Sequence, residues 1–341
     1  MKFRIVGIFI SVFIVLSCSS DKIPTPAADH HMHIMSEKTR NILLEQAEGI
    51  AKSEIKSMTV DANDAITFLD TTAVDKGVLL SAGFIIGSKM FTFEAEHKRV
   101  KSENNYTANQ ASQFPDRLVA LCSVNPLADY AIQEIERCSK MSNIMGLKLN
   151  LYPSGVDLRN EKHVKKLSTV FHNAEDFDLP ILIHMFTANP DYGSKDAQIF
   201  VNQVLSTAPD LPVQIAHMGG GVPPFYTTER VMKVFDKAID QNPKIMDSDL
   251  VFDISASIAS PNIIEYYNAR SDTSVSEEER QEINDKLIHR IRKLGIERFV
   301  YATDWPVLKS TNAYYQILRG HLKEEEVRKL FNNTGPFFDN N

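Results

Sequence analysis

Short apolar runs alternate with amphipathic stretches along almost the whole chain, and this alternation limits the fold more than any other feature. The runs are Ala27 to Ile34, Gly77 to Ala82, Leu118 to Val124, Ile144 to Tyr152, Pro180 to Met185, Pro212 to His217, Leu250 to Ser255 and Phe299 to Thr303. Helix-period stretches lie between them at Asp129 to Met141, Lys162 to Phe177, Ala197 to Thr207, Thr228 to Asp240 and Ser276 to Leu294. Apolar strands separated by helices describe a parallel sheet buried on both faces. Eight such units in 341 residues suit a (β/α)8 TIM barrel, which typically takes about 250. A doubly wound open sheet is the alternative, but the Gly-rich phosphate turn it often carries is missing. The stretch Ile85 to Ser112 is longer than a plain βα connection needs and predicts a loop and helix inserted over the barrel mouth.

The first residues belong to targeting. Lys2 and Arg4 precede an uncharged apolar run, Ile5 to Ser17, of signal-peptide length and short for a membrane span. Leu16-Ser17-Cys18 resembles a bacterial lipobox, which would make residues 1–17 a cleaved signal and Cys18 the lipidated N-terminus. Residues 18–27 then read as a tether, stiffened by Pro24 and Pro26, and 28–341 as one domain. The expected product is an exported bacterial lipoprotein, periplasmic or outer-membrane-anchored, touching the membrane only through its acyl chains. An ordinary secretory signal with an incidental cysteine is the alternative.

Composition removes other classes. With 37 basic and 44 acidic side chains the net charge is −7, which argues against nucleic acid as a partner. Three cysteines cannot form a disulfide framework for this length. Cys122 and Cys138 lie in apolar and amphipathic surroundings and read as buried free thiols, although export would let them pair. A small molecule is the expected partner, and self-association stays open.

The chemistry gathers at strand ends. The first strand ends Asp29-His30-His31-Met32-His33, and residues two apart share a strand face, so His31 and His33 can point together into the mouth. The fifth strand ends at His184, the sixth at His217 before Met218-Gly219-Gly220-Gly221, and the eighth presents Asp304 in Asp304-Trp305-Pro306. Active sites of such barrels occupy the C-terminal strand ends, and closure brings strand eight beside strand one. Four of the ten histidines at three strand ends, with a carboxylate at a fourth, suit zinc or another divalent transition metal. His30 alternates away from His31 and His33 and is expected to be peripheral.

The sequence resembles the amidohydrolase superfamily, within it the branch that includes aminocarboxymuconate-semialdehyde decarboxylase. The resemblance runs from about Ala28 to Phe338 and rests on several motifs. These are Asp-x-His-x-His at 29–33, Pro-Asp-Arg at 115–117, Val-Asn-Pro at 124–126, Gly-Leu-Lys-Leu at 146–149, Leu-Pro-Ile-Leu-Ile-His at 179–184, Ala-His-Met-Gly-Gly at 216–220 and Ala-Thr-Asp-Trp-Pro at 302–306. It implies His31, His33, His184 and Asp304 as ligands of one divalent metal, zinc first, with manganese or another transition metal as alternatives. His217 would be the acid/base or electrostatic partner, and Asp304 both ligand and base. Lys148 matches a strand-four lysine that is carboxylated and bridges two metals in binuclear members. It could equally face substrate or form a structural ion pair. Asp253 could orient a ligand or meet substrate, so Lys148, Asp253 and Trp305 are the substrate-contact candidates. Leu330 to Pro336 departs from the branch's small-residue turn and leaves the last helix in question.

Three functions follow. The first is a metal-dependent hydrolase using metal-activated water on a small amide, ester or lactone. The second is a metal-dependent non-oxidative decarboxylase of a small carboxylic acid. The third is a lipoprotein that binds ligand or metal without catalysis, which a missing ligand position would signal; all four are filled.

Overall fold

The structure is a computed structural model that describes residues 24–58, 61–220, 225–241, 249–258, 275–306 and 311–338. The leader, Cys18 and residues 19–23 of the tether lie outside the described residues. Eight strands pair in parallel in sequence order: β1 (Ala28–Ile34), β2 (Lys76–Ser81), β3 (Leu118–Ser123), β4 (Ile144–Asn150), β5 (Ile181–His184), β6 (Val213–Ile215), β7 (Leu250–Asp253) and β8 (Phe299–Val300). The ring closes because His30 N–H donates to Tyr301 O (3.1 Å), His33 N–H to Trp305 O (2.8 Å) and Trp305 N–H to His31 O (3.1 Å). A closed barrel leaves no strand edge without a partner. This is the (β/α)8 TIM barrel.

Side-chain alternation splits the core in two. Leu79, Ala120, Leu147, Ile181 and Ile215 face the surrounding helices, whereas Val78, Leu80, Leu121, Leu182 and Ala216 pack inside with Phe337 and Phe338. Those two phenylalanines come from the C-terminus and fill the barrel interior. Gly146 makes room for them, since a Cβ there would lie 2.9 Å from the Phe337 ring. The last helix does form, over Glu324–Asn332, followed by a short turn at Gly335–Phe337. Glu326 accepts from Lys323 N–H at 2.7 Å and secures the start of that helix.

The stretch Ile85 to Ser112 divides its work. A short helix, Gly83–Ile86, sits at the mouth, while Glu96–Ala111 packs on β2 and β3 through Val100, Ala108 and Ala111 as the crossover helix. Three helices between β1 and β2, Glu37–Gln46, Gly49–Ser57 and Ala62–Thr72, were not anticipated.

Two expectations are corrected. Cys122 and Cys138 form a disulfide, with Cα atoms 6.3 Å apart, rather than standing as free thiols. Cys122 on β3 faces outward, and the helix Ala131–Ser139 lays Cys138 against it; that tertiary contact is invisible in sequence. His30 is not peripheral but fully buried, its ring 5.7 Å from Phe338 and 6.4 Å from Phe337.

The cause of the second correction is a β-bulge. Asp29 pairs with Gly77 and Met32 with Leu79, so β1 holds one residue more than β2 over this stretch. Ala28 packs in the inner cluster, and strict alternation would send His30, Met32 and Ile34 inward with it. The extra residue reverses the phase: Met32 and Ile34 pack outward, and His31 and His33 turn in.

Candidate metal centre

At the C-terminal strand ends the structure brings His31, His33 and Asp304 together, with ligand atoms all within 4.8 Å of one another. His33 Nε2 lies 3.0 Å from Asp304 Oδ1, and His31 Nε2 lies 3.3 Å from the same oxygen. The imidazoles of His31 and His33 are 5.0 Å apart between centroids. His217 stacks on His31 at 4.9 Å, and His184 meets His217 edge-on at 4.7 Å. His33, His184, His217 and Asp304 share one cavity of about 250 Å³ with Asn150 and the apolar Met35, Met58, Phe84 and Ile85, and His31 lies beneath it, against His33, His217 and Asp304. A larger groove of about 680 Å³ is lined by Val213 and Leu250, the first residues of β6 and β7, at the opposite end of the barrel from this cluster.

Asp253 organises the cluster from below. Its Oδ2 accepts from His31 Nδ1–H at 3.0 Å and from Gln214 Nε2–H at 3.0 Å. Its Oδ1 accepts from His217 N–H (2.9 Å), Ser255 N–H (3.2 Å) and Ser255 O–H (2.5 Å). Burial opposes ionisation, yet the His31 ring and the donors on both oxygens hold this carboxyl well below the usual carboxylate range. With both oxygens engaged and no exposure, Asp253 stands behind His31 and His217 and does not line the cavity, which corrects its place among the substrate-contact candidates.

His217 is not a strand residue. β6 stops at Ile215, and His217 (φ 53°) and Met218 (φ 52°) enter a left-handed turn, as does Asp304 (φ 59°). Non-glycine residues avoid this region, and such strain concentrates at functional sites. The turn presents the ring, and His217 Nδ1–H donates to Ser255 O at 2.9 Å, which leaves Nε2 for the cavity that His217 lines.

Lys148 lies on the inner face of β4, fully buried, and its Nζ donates to His31 Nε2 at 3.2 Å. Burial lowers its pKa to about 8 despite the carboxylates of Asp253 and Asp304. The lysine therefore forms the floor of the site beside His31 Nε2, with the carboxylates of Asp253 and Asp304 close enough to favour its charged form. Trp305 is excluded from the cavity: it packs outside the barrel, its ring 5.4 Å from Phe68. That corrects its assignment as a substrate contact, for the residue after Asp304 turns to the opposite side of the chain.

The donors suit a divalent cation. Burial, then Lys148, brings His31 down to about 3, and burial, then His217, brings His184 well below its usual value, so both are neutral ligand forms. Burial opposes ionisation of Asp304 as well, but His31 and the His33 contact hold its carboxyl low. Since His31 Nδ1 carries the proton given to Asp253, its Nε2 lone pair is turned to Lys148 Nζ at 3.2 Å and lies 3.3 Å from the Asp304 oxygen. His184 Nε2 is buried without a hydrogen-bond partner among the described residues. His31, His33 and Asp304, the group whose donor atoms lie within 4.8 Å of one another, fit zinc or manganese alike, and His184 stands outside that group.

Residues that sequence reading left unassigned hold this arrangement. Asp29 accepts from His31 N–H (3.1 Å), Thr303 N–H (3.0 Å) and Thr303 O–H (2.5 Å), tying the bulge to the segment that carries Asp304. Burial raises its pKa to about 7. Its place in Asp-x-His-x-His was the available signal. Gln214 and Ser255 had none, because Gln214 meets Asp253 and Ser255 holds the His217 ring through contacts between segments far apart in the chain.

The Amidohydrolase family model matches residues 28–334. No curated protein matches the chain by sequence. Among solved structures, 5-carboxyvanillate decarboxylase from Sphingomonas paucimobilis is similar, with a TM-score of 0.61 at 17% identity, covering 92% of this chain and 98% of that one. The 5-carboxyvanillate decarboxylase of Novosphingobium aromaticivorans, complexed with manganese and 4-hydroxy-3-methoxy-5-nitrobenzoic acid, gives 0.58 at 15%, covering 90% and 94%. A probable 2-pyrone-4,6-dicarboxylic acid hydrolase from Acinetobacter baumannii gives 0.55 at 16%, covering 90% and 99%.

Proposed function

The chain belongs to the amidohydrolase family, and on that footing we propose that it is a metal-dependent hydrolase of a small amide, ester or lactone. The observation that carries this reading is the convergence of His31, His33, His184, His217 and Asp304 on one mouth. His31, His33, His184 and Asp304 would hold one divalent metal, zinc first and manganese second. When bound, such a metal acidifies water and polarises a carbonyl oxygen. Asp304 accepts the proton that the attacking water loses. His217, held through Nδ1–H by Ser255, turns Nε2 to the reacting carbonyl; Nε2 takes up the proton that Asp304 received from water, and the resulting Nε2–H stabilises developing negative charge and passes that proton to the leaving group. Lys148 keeps the floor positively charged beside His31.

A second reading, non-oxidative decarboxylation, draws support from the two carboxyvanillate decarboxylases that share the fold. The same residues would then orient a carboxylate, and His217 would supply the proton that replaces carbon dioxide. Metal analysis followed by a panel of lactones, amides and aromatic acids separates the two. Incorporation of ¹⁸O from labelled water marks hydrolysis, and carbon dioxide release marks decarboxylation. Metal-replete protein inactive across the whole panel would favour binding without catalysis.

The site is read as that of an exported lipoprotein anchored through Cys18. The Cys122–Cys138 disulfide supports export, because such bonds persist in oxidising compartments. No helix among the described residues is long and apolar enough to cross a membrane.

A further inference from the structure

Asn150 ends β4 and stands next to His184 in the β4–β5 register. It also occupies the N-cap position of the short helix Leu151–Ser154, but its side chain makes no capping hydrogen bond. Asparagine is among the favoured N-caps because its side-chain oxygen accepts from first-turn amides. Here that oxygen, Oδ1, is buried and has no hydrogen-bond partner among the described residues. Buried amide oxygens are almost always paired, and one left unpaired opposes folding, so an acceptor in this state needs an explanation. The cavity supplies it: Asn150 lines the same space as His184, His217 and Asp304. Much of the remaining lining, Met35, Met58, Phe84 and Ile85, is apolar, and about 250 Å³ is at the small end for a ligand site.

We propose that Asn150 is a substrate-binding residue whose Oδ1 accepts a hydrogen bond from a hydroxyl or N–H group on a small ring substrate. It thereby selects ring compounds carrying such a donor over those without one. The assignment rests on the reading that substrate binds at the metal centre. The selectivity has a physical origin, because a substrate lacking the donor leaves Oδ1 desolvated and unpaired in the complex.

The test is calorimetric titration of the metal-loaded protein with benzoate and with its 2-, 3- and 4-hydroxy and 2-, 3- and 4-amino derivatives. It uses the native chain, Asn150→Ala and Asn150→Asp, with metal content measured on each. The native protein is expected to bind at least one derivative about tenfold or more tightly than benzoate. The hydroxy and amino arms show which donor is taken. Asn150→Ala should bring that preference to parity while keeping metal and benzoate affinity, and Asn150→Asp, which retains an acceptor, should preserve it. A preference that survives in Asn150→Ala overturns the proposal, as does a native protein that binds no probe or shows no preference. Metal lost on Asn150→Ala also overturns it, by making Asn150 a ligand. A native protein that holds no metal defeats the functional reading instead.

Discussion

Asp253 Oδ2 sits 3.0 Å from His31 Nδ1, a fully buried contact between residues 222 positions apart. The contact fixes the His31 tautomer, with the proton on Nδ1 and the lone pair on Nε2, which Lys148 Nζ meets at 3.2 Å beside Asp304. The other oxygen of Asp253 holds the His217 backbone and Ser255, and Ser255 O holds the His217 ring. One carboxylate therefore orients both the His31 imidazole, proposed as a metal ligand, and the His217 imidazole, proposed for proton transfer.

The metal assignment is tested by content and affinity together. His31→Ala, His33→Ala, His184→Ala and Asp304→Ala should each lose metal and turnover in parallel. Asp253→Asn should keep the fold but weaken metal affinity by about 10–100-fold, the usual effect of removing a carboxylate behind a ligand histidine. Elemental analysis with chelator competition reads both. Full metal retention in His184→Ala would remove it from the ligand set, and two metals with a carboxylated Lys148 would establish a binuclear centre.

His217→Asn should behave differently. Metal stays and kcat falls by about 10²–10⁴-fold, because a proton-transfer group is lost without a ligand. Near-normal kcat with intact metal would reduce His217 to packing.

The disulfide closes a loop between residues 16 positions apart. Chain-entropy arguments put its contribution near 3 kcal/mol. The double variant Cys122→Ser, Cys138→Ser should unfold at clearly lower denaturant, and native protein denatured without reductant should show neither thiol to an alkylating reagent. Alkylation of both would refute the pairing.

Lipidation depends on a single thiol. Cys18→Ala should abolish incorporation of labelled fatty acid and block signal processing. Labelling that persists would end the lipoprotein reading.

The C-terminal helix carries a pH signature. The Arg292 hydrogen bonds, and then the Lys323 amide, lower Glu326 to about 2 from 4.5. A depressed carboxylate stabilises above its unfolded pKa, and that contribution disappears as pH falls through the folded value. Glu326→Gln should therefore lower Tm by about 1–2 °C at pH 7, modest because the pair is partly exposed. Comparison of the two melting curves should show the gap narrowing below pH 4.5 and closing near pH 2. A gap independent of pH would point to the helix cap alone.

What sequence alone determined was the barrel and the residues at its mouth. Eight apolar runs with helices between them admit few architectures, and a closed parallel barrel places the C-terminal ends of its strands together whatever the loops do. His31, His33, His184 and Asp304 were legible because each ends a run. Tertiary structure decided which way they face and what holds them. Strand periodicity puts His31 and His33 on one face but does not say which face, and the β1 bulge turns them inward by shifting the phase one residue. His217 and Asp304 reach the mouth through left-handed backbone that no periodicity encodes. Asp253, Ser255, Asp29 and Asn150 take their roles from partners, or from the lack of one, across the barrel. Periodicity is a property of neighbours along the chain, whereas a carboxylate that orients an imidazole 222 positions away depends on where closure places the strands.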